Sequence, residues 1–207
     1  MKKFFTMVSL QHQVGVSGLK QNHYEAVGNS LLEMEGETCY PIVPAINGYA
    51  KEGESIRVFA IISNPEYMED NYKILCEQVD AVCRAKGILC PNGVEKIIIS
   101  KEQNVTDHID SFMKLISYTE DDDELFGCLT YGTKVNTITL LMAIQYAYKI
   151  KMNASISCLV YGDYNRFDGT TKIYDVTALA QMSEIVSVLA EKKVQNPEEI
   201  LRMIVED

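Results

Sequence analysis

Apolar runs and amphipathic stretches alternate along most of the chain. Continuous apolar runs predict buried β-strands at residues 3–10, 55–62, 94–100, 125–130 and 155–161. Apolar residues at helical spacing predict helices at residues 65–86, 105–118, 135–150 and 178–192, with a short one at 197–205. Strands that alternate with helices favour an α/β fold, in which helices cover both faces of a mostly parallel sheet.

The other segments have weaker patterns. Residues 23–32 favour a short extended piece, and residues 40–49 favour either a short helix or an irregular segment. Residues 11–18 are rich in polar residues and glycine, which predicts a loop. The acidic run at residues 120–124 is typical of a solvated loop, with a metal site as the alternative.

The C-terminal third of the chain adds a hairpin to this sheet. Asp168-Gly169 is a strong signal for a tight turn, and an apolar strand follows at residues 172–176. These features predict a hairpin at one edge of the sheet. We divide the chain into one large α/β domain at residues 1–192 and a short helical appendage at residues 193–207.

The predicted helix at residues 135–150 is apolar on nearly its whole circumference. Such a helix is buried on two sides, and in a chain of 207 residues the second cover is expected to be another subunit. We therefore predict a two-fold homodimer with this helix near the interface. The alternative is that another helix of the same chain covers it.

Composition limits what the chain binds. Its formal net charge is −10, whereas a protein that binds duplex nucleic acid neutralises phosphates with a surplus of basic residues. Duplex nucleic acid is therefore not expected as a partner, and an anionic ligand would need a local group of donors.

The six cysteines form no Cys-x-x-Cys pair, which favours buried free thiols in a reducing cytoplasm. No apolar run has the length of a membrane span, so no membrane partner is expected.

A local group of donors follows one of the predicted strands. Tyr131-Gly132-Thr133-Lys134 stands between that strand and the apolar helix. The first backbone N–H groups of a helix lack partners within it, and the helix dipole places partial positive charge there. Gly132 allows close approach of a ligand, Thr133 offers a hydroxyl and Lys134 adds a full charge, so together they predict a phosphate site. The alternative is an ordinary strand–turn–helix junction capped by Thr133.

Several familiar chemistries are missing from the sequence. It has no P-loop and no Gly-x-Gly-x-x-Gly after a strand, which argues against P-loop NTPases and ordinary dinucleotide enzymes. The histidines show no metal spacing, and His12 lies in a loop, where a histidine is more often exposed than catalytic.

Ligands of parallel sheets bind beyond the C-terminal ends of strands, where this chain places residues 9–18, 130–134 and 161–164.

Four segments follow one another in a distinctive order. A first strand ends in a polar loop that contains Ser9, and a later strand leads into Tyr131-Gly132-Thr133-Lys134. The next strand ends in Tyr161-Gly162-Asp163-Tyr164, and Ile173-Tyr174-Asp175-Val176-Thr177 forms the returning strand. In this order, and over nearly the whole chain, they resemble the CARF domains, the CRISPR-associated Rossmann folds of type III CRISPR systems. The resemblance implies a Rossmann-like α/β fold: a mostly parallel sheet, helices on both faces and a C-terminal edge hairpin.

The resemblance also implies a cytoplasmic homodimer that binds a cyclic oligoadenylate in antiviral defence, and we expect the tetra-adenylate ring. Each subunit would supply the same contacts to half of a two-fold symmetric ring. Tyr131, Tyr161 and Tyr164 are candidates for stacking on adenines. Neither a cofactor nor a metal is expected. The predicted ligand-binding residues are Ser9, Gln11, His12, Gly18, Thr130, Tyr131, Gly132, Thr133, Lys134, Tyr161 and Tyr164.

The chain departs from the CARF pattern at two places. Many CARF domains have two glycines before the Thr-Lys pair, and Tyr131 replaces the first of them here. CARF proteins usually carry a C-terminal effector, often a HEPN ribonuclease with an Arg-x-x-x-x-His signature, and no histidine follows His108 in this chain. We therefore expect a lone sensor domain, a truncated form of a longer protein, or a ring nuclease that degrades its own ligand.

Ring cleavage of this kind needs no metal. A ribose 2′-OH attacks the adjacent phosphorus and yields a 2′,3′-cyclic phosphate. Lys134 and the neighbouring amides would stabilise charge on the phosphoryl oxygens, with Ser9 or Thr133 orienting the ribose. No residue is an evident general base, so slow turnover is expected. Two other functions stay open: a doubly wound enzyme acting on a small phosphorylated metabolite or nucleotide, and a structural interaction subunit.

Overall fold

The computed structural model describes residues 1–10 and 19–206. Within these residues the chain forms a seven-stranded sheet, six α-helices and a 3-10 helix at Ser30–Leu32. The strands are β1 Lys2–Met7, β2 Glu25–Val27, β3 Ile56–Ile62, β4 Val94–Ile98, β5 Glu124–Cys128, β6 Ser155–Tyr164 and β7 Thr171–Asp175. The helices are α1 Ile42–Tyr49, α2 Pro65–Lys86, α3 Val105–Ile116, α4 Lys134–Ile150, α5 Thr177–Glu191 and α6 Pro197–Glu206.

The sheet is doubly wound. Its strands lie in the order β2-β7-β6-β5-β1-β3-β4, and every neighbouring pair is parallel except β6 and β7. The chain adds β3 and β4 on one side of β1 and then returns to add β5 and β6 on the other side. This order and the helices on both faces confirm the predicted Rossmann-like α/β fold.

The predicted hairpin forms from β6 and β7, which pair antiparallel. It lies one strand in from the edge, because β2 pairs in parallel with β7 on the outside. The pattern at residues 23–32 did not indicate this, since β2 spans only Glu25–Val27 and a 3-10 helix follows it. Such a short strand depends on its neighbour for most of its stability.

Side chains alternate between the two faces of the sheet, as strand geometry requires. Phe4 faces α1 and α2, where it stacks on Phe126 of β5, with ring centroids 4.3 Å apart. Phe5 faces α3, α4 and α5, where it stacks on Phe59 of β3, with ring centroids 4.8 Å apart. The strands are buried on both faces, which explains their continuous apolar runs.

The acidic run at residues 120–124 is in part the expected solvated loop, since residues 120–122 are exposed, but it also has a structural role. Asp123 is only 2% exposed, and its carboxylate lies 2.7 Å from the Nζ of Lys3, which is fully buried. Glu120 pairs with the same Nζ at 2.6 Å, and the pKa of Glu120 is lowered by its hydrogen bond to Lys3. The run therefore neutralises a buried lysine, because an unpaired charge inside the protein is costly.

One face of α4 packs in the core, and the opposite face is uncovered in the single chain. Leu140, Ala143, Ile144 and Ala147 are buried against the sheet, while Ile138 is 54% exposed. Neighbouring α3 contacts the side of α4, where Phe112 and Tyr146 meet edge to face.

Among the described residues, no helix combines the length and apolar character that crossing a membrane requires.

Candidate functional site

The C-terminal ends of β1 and β5 meet at the point where the sheet changes its winding direction. The two strands are parallel neighbours, with Thr6 opposite Cys128. The next α-helix after β1 is α1 on one face, and the next after β5 is α4 on the other. Chain segments that leave neighbouring strands for opposite faces open a crevice between them, which is where ligands of doubly wound sheets bind.

Gly132 shapes the turn at the end of β5. Its φ is 93°, a conformation that residues with a Cβ rarely adopt. A Cβ at this position would also lie 3.0 Å from the Cγ of Met7, the last residue of β1. The turn therefore packs directly against the neighbouring strand end. The positive φ favours glycine, and a side chain there would also need the Met7 side chain to shift.

Thr133 is the N-cap of α4. Its hydroxyl accepts a hydrogen bond from the backbone N–H of Asn136 at 3.2 Å, as the alternative interpretation of this junction expected. The hydroxyl of Thr137 folds back to donate to the carbonyl oxygens of Thr133 at 3.1 Å and Tyr131 at 3.3 Å. These contacts hold the turn in place. The hydroxyl of Thr133, which was a candidate for orienting a ribose, is the group that accepts the capping hydrogen bond.

Lys134 is the first residue of α4, and its side chain is exposed. Within the part of the chain that the structure describes, it makes no ion pair or side-chain hydrogen bond. Its charge adds to the positive end of the helix dipole and to the first amides of the helix. A lysine at the start of a helix, with no partner among the described residues, suits an anionic ligand group.

Asn136 is a polar residue of this turn that the sequence did not single out. It is 2% exposed, and its Nδ2 finds no hydrogen-bond partner among the described residues. A buried amide donor normally has a partner, because leaving one unsatisfied costs about 1–3 kcal/mol. This donor lies in the first turn of α4, two residues after Lys134, in the protein interior.

Thr130 links the end of β5 to the next strand. Its Oγ1 accepts a hydrogen bond from the backbone N–H of Gly162 at 2.8 Å. Gly162 has no room for a side chain, since a Cβ there would lie 2.5 Å from the Cγ of Pro41. This contact brings two of the predicted site segments, residues 130–134 and 161–164, together at the same edge of the sheet.

Tyr131 is placed for a structural role rather than for stacking on a base. Its hydroxyl donates to the carbonyl oxygen of Cys39 at 2.6 Å, and its ring meets Tyr40 edge to face. Burial raises the pKa of the hydroxyl well above its usual range. The residue that replaces the first glycine of the CARF pattern therefore ties the turn to the segment before α1.

Replacing Tyr131 with phenylalanine tests this assignment. We expect the free energy of unfolding to fall by about 1–2 kcal/mol, because the Cys39 carbonyl loses its partner while the ring contacts remain. Urea titration followed by circular dichroism measures this change. Ligand affinity should stay the same, and a large loss of affinity in a fully folded variant would instead show that the hydroxyl serves the ligand.

Tyr161 and Tyr164 lie on opposite faces of β6, because residues three apart in a strand point in opposite directions. Val160 packs on the α1 and α2 side and Leu159 on the other, so Tyr161 shares its side of the sheet with α4. Tyr174 of β7 is the cross-strand neighbour of Tyr161. This register favours Tyr161 over Tyr164 as a contact beside Lys134 and adds Tyr174, which the sequence alone did not suggest.

The first predicted segment of the site is described only in part. Ser9 is 1% exposed, and its carbonyl oxygen accepts a hydrogen bond from Nδ2 of Asn71 at 2.8 Å. This burial places the Ser9 side chain in the protein interior rather than on the surface of the crevice. Gln11, His12 and Gly18 lie outside the described residues.

Comparison with known proteins adds no family to this picture. No protein-family model matches the chain, and no curated protein matches its sequence significantly. The resemblance to CARF domains therefore stays a prediction from the sequence motifs.

Proposed function

We propose that this protein is a receptor for a cyclic oligoadenylate, with cyclic tetra-adenylate as the expected ring. The observation that carries the proposal is the exposed Lys134, which has no partner among the described residues and lies at the start of α4, beside the Gly132 turn and at the crevice between β1 and β5. These groups suit a phosphate of the ring.

An uncovered apolar surface supports a two-fold assembly around this site. We call it the α3–α4 surface: Val105, Ile109 and Met113 on α3, and Val135, Ile138 and Met142 on α4, all exposed in the single chain. Their spacing of three or four residues puts each set on one face of its helix. Exposed apolar surface of this kind is typical of an interface, and an isologous contact buries it on both subunits at once.

Symmetry links this surface to the ligand. Both helices begin at the edge of the sheet that carries the candidate site, because α3 follows β4 and α4 follows β5. A two-fold axis that passes through the α3–α4 surface roughly along the two helices would bring the two copies of Lys134 to the same side of the dimer. A ring with internal two-fold symmetry then meets the same contacts from each subunit.

Isothermal titration calorimetry with cyclic tetra- and hexa-adenylate tests the proposal. We expect heat from the tetra-adenylate with one ring for every two chains, because each subunit contacts half of the ring. Linear tetra-adenylate and inorganic phosphate are the controls, and they should bind far more weakly. Absence of heat with both rings at micromolar protein would contradict the proposal. Saturation by a small phosphorylated metabolite instead would favour the doubly wound enzyme.

Ring cleavage is a second activity that the same groups suit. Lys134 and the first amides of α4 would stabilise charge on a phosphoryl oxygen while a ribose 2′-OH attacks the phosphorus. The P–O5′ bond breaks, the 2′-OH loses its proton, and the 5′-oxygen of the next nucleotide leaves as a hydroxyl. The hydroxyl of Thr133 already accepts the capping hydrogen bond. We therefore expect cleavage to be slow, and incubation of a labelled ring followed by separation of linear products measures it.

A further inference from the structure

The hairpin of β6 and β7 extends past the end of β5 on the side of the candidate site, while β2 flanks it on the outside by pairing with residues 172–174 of β7. Pairing between β5 and β6 ends at Cys128 and Val160, whereas β6 continues to Tyr164 and pairs only with β7. At about 3.3 Å per residue, the four extra residues extend roughly 13 Å past the end of β5. We call this projection, residues 161–174, the hairpin arm.

Hydrogen bonds within the turn hold the tip of the hairpin arm in one conformation. The backbone N–H of Asn165 donates to the carbonyl of Thr170 at 2.9 Å, and the Asn165 Oδ1 accepts from the N–H of Phe167 at 3.0 Å. The Asp168 carboxylate accepts from the N–H and hydroxyl of Thr170 at 2.9 and 2.7 Å and from Nδ2 of Asn165 at 2.8 Å. The Asp168 carboxylate therefore has hydrogen-bond donors within the turn itself.

This ordered tip displays an aromatic ring and a cation to solvent. Phe167 has a relative exposure of 102%, and Arg166 beside it is exposed and makes no ion pair within the described residues. A fully exposed phenylalanine forgoes the roughly 1.5–3 kcal/mol that burying its side chain would provide. Its position on a hydrogen-bonded turn leaves the ring accessible to a ligand.

A cavity of about 470 Å³ lies against the hairpin arm. Its lining includes Asp163, Tyr164, Arg166, Phe167, Lys172 and Tyr174. Within the paired strands, Lys172 and Tyr174 alternate with Ile173, which is buried on the α1 and α2 side. Lys172 and Tyr174 therefore lie on the side of the sheet that carries α4 and Lys134.

We propose that Arg166 and Phe167 bind a nucleobase and its neighbouring phosphate in the adenine nucleotide ligand. This inference rests on the proposed function and adds the residues that recognise the base. A planar base stacks on an aromatic ring whatever its sequence context, and a guanidinium both stacks on bases and binds phosphate. The hydrogen bond between Gly162 and Thr130 holds the start of the hairpin arm beside the turn that carries Lys134.

The absence of tryptophan from the chain allows a direct test. Phe167→Trp creates the only indole in the protein, and we expect its fluorescence to be quenched as cyclic tetra-adenylate is added. Tyr148→Trp is the matched control. Tyr148 is exposed near the C-terminal end of α4, so it lies near the N-terminal ends of the parallel strands, away from the candidate site. Its fluorescence should not change with ligand.

Affinity gives the second measurement. We expect Phe167→Ala to weaken ring binding by about 5- to 150-fold for each subunit that contacts the ring, the range for loss of one stacked base, and Arg166→Gln to weaken it as well. The thermal midpoint of Phe167→Ala should match that of the wild type, since the ring is fully exposed.

The outcomes separate this inference from the proposed function. Ring binding by the wild type with unchanged affinity in Phe167→Ala and no quenching in Phe167→Trp would overturn the inference and leave the receptor intact. Quenching of Phe167→Trp by adenosine monophosphate, in a protein that binds no ring, would support the inference and overturn the ring receptor. Neither binding nor quenching would overturn both. Quenching by a peptide but not by nucleotides would overturn the inference in favour of a protein partner.

Discussion

Lys134→Ala is expected to weaken ring binding by about 1.5–3 kcal/mol for each subunit that contacts the ring, as for loss of a hydrogen bond to a charged group. A ring on the two-fold axis meets two copies of Lys134, so the total loss is about 3–6 kcal/mol, roughly a factor of 10² to 10⁴ in affinity. The effect is large because the chain has a net charge of −10 and must gather donors locally. Calorimetry with cyclic tetra-adenylate measures it.

The control for this substitution is Lys192→Ala, which removes the same charge from an exposed residue at the end of α5. It should leave affinity unchanged apart from a small long-range effect that salt screens. Lys134→Ala should also unfold at the temperature of the wild type, since its side chain makes no ion pair or hydrogen bond among the described residues. Equal loss in the two variants would mean that net charge matters and that the anion binds elsewhere.

Ile138→Glu is expected to convert a dimer into a monomer. The side chain is 54% exposed in the single chain and lies in the middle of the α3–α4 surface. A pair of glutamates facing each other across a two-fold axis would be desolvated without partners, which costs far more than the lost apolar contact. Light scattering after gel filtration should give twice the 23.3 kDa chain mass for the wild type and the single mass for the variant.

Leu31→Glu is the matched control for the dimer. Leu31 is similarly exposed, at 50%, and its 3-10 helix contacts α1 on the other side of the sheet. This variant should remain dimeric and should bind the ring as the wild type does. A wild type that is already monomeric, or an Ile138→Glu protein that stays dimeric, would contradict the placement of the interface on the α3–α4 surface.

Loss of the dimer should also remove ring binding, because each subunit holds only half of the contacts. An Ile138→Glu monomer that kept full affinity would favour a complete site within one chain. That result would point to the small phosphorylated metabolite as the ligand. The two substitutions therefore test separate parts of the proposal: Lys134→Ala tests the chemistry of the site, and Ile138→Glu tests its symmetry.

The strand-to-helix junction at Lys134 could be predicted well from the sequence. An apolar strand, a Gly-Thr pair and an apolar helix each depend on local preferences for conformation and capping, which neighbouring residues alone determine. The end of β6 was harder to predict. The strand continues to Tyr164 because it pairs with β7 after β5 has ended, and pairing partners are not visible in a local pattern.

The roles of the tyrosines show the same limit. Tyr131, Tyr161 and Tyr164 were equivalent candidates in the sequence, since each lies at a predicted strand end. Tyr131 is tied to the carbonyl of Cys39, 92 positions earlier, and the other two lie on opposite faces of one strand. Which aromatic ring faces the site depends on strand register and on a contact between distant segments.

Local pattern therefore suffices for the alternation of strands and helices, the α/β class that it implies and the turn that carries Lys134, because periodicity and capping act over a few residues. The pairing of Lys3 with Asp123, the orphaned donor of Asn136 and the projection of the hairpin arm follow only from the folded chain. Each of them requires segments far apart in sequence to meet in the dry interior or at a shared strand edge. Burial and partnership of a charge or a donor are properties of that meeting rather than of the residue itself.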